Sequence, residues 1–78
     1  MTQEHMDWIA NEVIIELGLL LEVSAIDLDQ SKPHLWSLKL SAGDNRFFEA
    51  VVDLSVQDND EKVKADIRRQ IEAFSMSV

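Results

Sequence analysis

Cysteine and tyrosine are absent from this 78-residue sequence, proline occurs once, glycine twice, and no lysine or arginine precedes Lys32. Without cysteine there is neither a disulfide framework nor a thiolate metal site to reinforce a small core, and nothing points to an oxidising compartment. The scarcity of proline and glycine, with 46% hydrophobic and 28% charged residues, is the balance of a folded chain and not of a disordered one. A chain of this length makes one small domain over residues 1–78, burying about 60% of its unfolded surface. Long apolar runs are missing too. The richest stretch, Val13 to Val23, is broken by Glu16 and Glu22, whereas a membrane span needs roughly 20 consecutive apolar residues. The opening Met1 to Asp7 is acidic where a secretory signal would be basic. The expectation is a cytoplasmic protein that makes no membrane contact.

What is present is negative charge, unevenly placed. Glu4, Asp7, Glu12, Glu16, Glu22, Asp27 and Asp29 precede the first base, leaving eight acids against seven bases in the rest of the chain. Nearly all of the net charge of -8 therefore belongs to the first segment. An acidic surface repels phosphate backbones and anionic lipids, so direct nucleic-acid binding is disfavoured and a basic protein becomes the natural partner.

Periodicity divides the chain into five elements. Met6, Ile9, Ala10, Val13, Ile14 and Leu17 recur at helical spacing. Thr2 can cap this helix at its start and Gly18 can close it in a left-handed conformation. Leu20 to Leu28 is aliphatic but alternates poorly: Leu21, Val23 and Ala25 share one side and Ile26 and Leu28 the other, as in a strand covered on both faces. After the turn around Pro33, His34 to Ser41 alternates cleanly, with Trp36, Leu38 and Leu40 opposing Leu35, Ser37 and Lys39. Ala42-Gly43-Asp44-Asn45 has hairpin chemistry. In Phe47 to Leu54, one face carries Phe48, Ala50, Val52 and Leu54, and the other is mixed. Asp58 with Glu61 three residues on has the spacing of a capping box, and Val63, Ile67, Ile71 and Phe74 form the stripe of a second helix fraying over Ser75 to Val78.

The predicted architecture is α+β, in the order α-β-β-β-α, with a three-stranded antiparallel sheet and both helices packed on one face. That element order is similar to that of the double-stranded-RNA-binding domain, and the likeness stops at the order. Such domains open their second helix with lysines. Here that position reads Asp58-Asn59-Asp60-Glu61.

No motif carries chemistry. His5 and His34 lack a second ligand at zinc spacing, and the stretches around Asp27 and Asp58 lack the glycine and closing glutamate of a calcium loop. They read better as turn and cap residues. No nucleophile motif or glycine-rich loop singles out any carboxylate, so no catalytic, metal or cofactor residue is expected and the chain is read as non-catalytic. At 100° per residue, however, Trp8 and Ile15 fall opposite the apolar stripe of the first helix, among Glu12, Glu16 and other acids. An aromatic rimmed by carboxylates has the composition of a protein-binding hot spot. Trp8, Glu12, Ile15 and Glu16 are thus the candidate partner-binding residues, with a regulator or inhibitor of a basic protein as the leading function and a DNA-mimic inhibitor as the alternative. Leu35, Phe47 and Val51 leave apolar residues on the second face of the sheet as well, which favours a homodimer.

Overall fold

A computed structural model describes residues 1–43 and 46–76. It places helix α1 at Gln3–Leu17, strands β1 at Leu21–Leu28, β2 at Leu35–Ala42 and β3 at Arg46–Asp53, and helix α2 at Asp60–Met76. The sheet is antiparallel with order β1-β2-β3. α1 lies over β1, α2 over β3, and the helices touch each other. This is the expected α-β-β-β-α order. His5 near the start of α1 meets Asp60 at the start of α2, while Glu16 near the end of α1 meets Lys64 and Arg68. The two helices therefore run side by side in the same direction.

Local chemistry sets the helix ends. Thr2 accepts the His5 N–H through its hydroxyl at 3.1 Å, satisfying one of the donors a helix start leaves over. At the other end Gly18 takes φ 66°, its N–H turns back to Ile15, and the Leu19 N–H reaches Ile14. A side chain in that left-handed conformation would be strained, so glycine suits the closure. The cap of α2 is one residue later than the sequence suggests. Asn59, not Asp58, accepts the Lys62 N–H at 2.9 Å, and Asp58 instead pairs with the Lys62 ammonium.

The core lies between the helices and one face of the sheet. Met6, Ile9, Ala10, Val13 and Ile14 from α1 meet Trp36, Leu38 and Leu40 of β2, Ala50 and Val52 of β3, and Val63, Ile67 and Ile71 of α2. Register puts Leu38 between Ile26 and Ala50, and Leu40 between Val23 and Phe48. Phe48 stacks on Phe74 at 4.8 Å between ring centroids.

β1 corrects the sequence reading. Its irregular alternation does not mark a strand covered on both faces. The register shifts between Val23 and Ala25, so Ser24 is the extra residue of a β-bulge. The bulge inverts the phase, and Leu21, Val23, Ile26 and Leu28 all pair with helix-facing positions of β2. The Ser24 hydroxyl then meets that of Ser41 on the opposite face at 3.0 Å.

At the end of the molecule where both helices start, two Asp-x-Ser turns hold the loops. Asp29 accepts the N–H and hydroxyl of Ser31, and Asp53 does the same for Ser55. These bonds hold both carboxyls below the usual aspartate range. Asp29 and Asp58 thus serve as turn and helix-start residues. Of the expected hairpin turn, Asp44 and Asn45 lie outside the described residues, as do Ser77 and Val78 at the expected frayed end. Helix α2 itself continues through Ser75 to Met76.

Candidate functional site

The candidate surface is built on α1. Six of its side chains face inward, which turns Trp8 and Ile15 outward, 56% and 76% exposed. Trp8 is steadied on one side by His5, whose ring stacks on it at 5.8 Å. His5 is in turn fixed to α2 by its Nε2, 2.8 Å from the Asp60 carboxylate. Glu12 is half-buried and Glu4 exposed. The four candidate residues therefore share one side of α1, and the two apolar ones are open to solvent.

Glu16 has a different setting from its neighbours. Lys64 donates to it at 2.9 Å and the Arg68 guanidinium lies 3.8 Å away. The lysine hydrogen bond chiefly holds its carboxyl below the usual glutamate range against partial desolvation, with smaller contributions from the Lys64 and Arg68 charges. No base lies in the last turn of α1 itself, so α2 supplies the positive charge that a helix C-terminus favours. Glu16 thus joins the two helices, while Glu12 and Glu4 lie beside Trp8 on the same side of α1.

The molecule has two electrically distinct flanks. Residues 1–31 fold into α1, β1 and the start of the following loop, so that flank carries acids with no lysine or arginine of its own. On the α2 flank acids and bases alternate and pair: Lys62 with Asp58, Arg68 with Glu72, and Arg69 with the buried Asp66. Lys39, in the middle of the sheet, leans over the Phe47 ring at 5.2 Å.

The open sheet face is mixed. Phe47 is 59% exposed there and Val51 is also exposed, with Leu35 half-buried, among Lys39, Glu49 and Asp53. Sequence reasoning missed Leu20. Its aliphatic context predicts strand, yet it stands 94% exposed between Gly18 and β1. A cleft of about 490 Å³ opens where the helices start and is lined by His5, Asp58, Asn59 and Asp60 among others. Among the described residues no three His, Cys, Asp or Glu side chains group closely enough to hold a metal ion, and no helix is long and apolar enough to cross a membrane.

Sequence reasoning also missed two glutamines that guard the sheet edges. Gln70 on α2 accepts the Val51 N–H at 3.1 Å and donates to the Val51 carbonyl at 2.9 Å, and the same amide nitrogen donates to Asp66 at 3.0 Å. Gln3 on α1 donates to the Ile26 carbonyl at 3.1 Å. Nothing local in the sequence distinguishes either glutamine from a solvated one. Comparison with protein families, with curated proteins and with solved structures finds no match for the chain.

Proposed function

We propose that this protein is a small, non-catalytic interaction module whose α1–β1 flank binds a basic protein. The observation that carries the reading is the pairing of two solvent-exposed apolar side chains, Trp8 and Ile15, with a flank that has acids and no lysine or arginine of its own. The ring and the aliphatic chain supply area for burial, and the surrounding acids steer a positive partner. Regulation or inhibition follows from occupying the partner's surface. Mimicry of nucleic acid is less well supported, since Glu16, Asp58, Asp66 and Glu72 are each neutralised by a lysine or arginine. A cytoplasmic setting suits this reading and the absence of cysteine.

The test is capture from the source cell with wild type beside Trp8→Ala/Ile15→Ala and Glu4→Lys/Glu12→Lys. Basic proteins retained by wild type and released by rising salt should be lost in both variants. Retention that ignores both substitutions and salt overturns the reading. Glu16 is left unchanged because reversing it would disturb the fold as well as the surface.

Self-association through the uncovered sheet face is a second reading, favoured by the exposure of Phe47 and Val51. Sedimentation at micromolar concentration tests it, a species of only 8.9 kDa being the contrary result.

A further inference from the structure

The two outer edges of the sheet are closed to different degrees, and register shows how. Val51 gives both its N–H and its carbonyl to Gln70, so the odd-numbered residues of β3 point outward and the even-numbered ones toward β2. Leu38 therefore spends its backbone groups on Ala50, and Ser37 and Lys39 turn theirs toward β1. On β1 this leaves Ile26 and Leu28, the partners of Leu38 and Trp36, with backbone groups on the outer edge. The Gln3 bond to the Ile26 carbonyl agrees with that placement. One amide bond guards this edge where β3 has a two-bond clamp braced by Asp66.

The side chains along β1 are sorted by face. Val23, Ile26 and Leu28 lie on the helix side, and Glu22 and Asp27 on the open side, both of them exposed. A cleft of about 280 Å³ runs between this edge and Gln3, Glu4 and Asp7 of α1, and its lining holds no basic residue.

We propose that the outer edge of β1 accepts an extended segment of the basic partner as a fourth strand, with basic and apolar residues alternating along it. The inference rests on the basic-partner reading and names the form in which that partner binds. Main-chain bonds to the Ile26 N–H and to Leu28, beside the Gln3 bond that holds the Ile26 carbonyl, supply the pairing, apolar side chains lie beside Val23, Ile26 and Leu28, and basic ones lie opposite Glu22 and Asp27. A second copy of this chain does not fit the edge. Antiparallel β1 against β1 would set Glu22 and Asp27 against the same acids. The bulge at Ser24 confines the longer regular edge to its second half, where the outward groups of Ile26 and Leu28 lie.

The experiment uses a short peptide alternating lysine with valine, and the same peptide N-methylated at every internal residue, each titrated into the protein. Methylation keeps the charge and removes the strand. The expected result is that the plain peptide slows hydrogen exchange at the Ile26 and Leu28 amides by at least about tenfold and binds at least about tenfold more tightly than the methylated one. Glu22→Lys/Asp27→Lys, at two exposed positions, should weaken the plain peptide by a similar factor. Equal binding of both peptides, without protection on β1, overturns strand addition and leaves the basic-partner reading standing. Binding of neither overturns both.

Discussion

The α1–β1 flank and the α2–β3 flank are built from the same parts, a helix laid over an edge strand, and they treat their polar groups in opposite ways. On the α2 side Asp58, Asp66 and Glu72 each meet a lysine or arginine of the same helix region, and Gln70 folds against both backbone groups of Val51. On the α1 side, Glu16 meets a lysine and an arginine, and those come from the other helix. Satisfied groups gain little from a new neighbour, whereas unneutralised acids beside exposed apolar area gain from a basic one. The contrast is what supports the proposal that α1 and β1 form the recognition side.

The contrast should vanish in the core. Ile9 and Ile67 are both fully buried, one from each helix, so Ile9→Ala and Ile67→Ala should each cost about 2–5 kcal/mol in urea unfolding. A cost near zero for Ile9 alone would mean that α1 is not an integral wall of the core. The contrast should appear next at the edges. Gln70→Ala removes two backbone bonds and one donor to Asp66, an expected loss of about 1–2 kcal/mol, whereas Gln3→Ala removes one bond for roughly half that. Gln70→Ala should also promote self-association, because it uncovers an edge. Equal costs would erase the difference between the edges.

The bridge between the flanks has a pH signature. The Glu16 carboxyl is held below its ordinary range, so the bridge contributes fully above about pH 4.3 and is lost as pH falls through the lowered folded value. The stability difference between wild type and Glu16→Gln should therefore shrink on acidification from neutral pH. A difference that grows in acid would contradict the bridge. The smallest effect is expected at Trp8. Its exposure predicts that Trp8→Ala changes stability by no more than about 0.5 kcal/mol. A large loss there would make Trp8 a structural residue and weaken its place in the proposed interface.

Much of the architecture was legible because its causes are local. Thr2 and Gly18 bound α1 through bonds to residues within one turn or so, and the strict alternation of β2 and β3 assigns their faces. The exposure of Trp8 and Ile15 followed from helical angle alone. β1 was misread because a single inserted residue inverts the phase of everything after it, and only pairing with β2 reveals the insertion. The cap of α2 was misplaced by one residue because Asp58 and Asn59 offer the same chemistry, and the Asp58 carboxylate is drawn to Lys62. Glu16 looked like one of a row of surface acids until α2 came alongside.

Composition and order of residues alone therefore determined the elements, the stripe each helix buries and the flank that lacks bases, since propensity, periodicity and charge act within a few residues. The tertiary structure alone decided which acids are neutralised and which edge is guarded. Gln3 reaches a residue 23 positions away, Gln70 one 19 positions away and Lys64 one 48 positions away. Such partners are set by strand register and by how two helices lie across a sheet, which no local stretch of sequence contains.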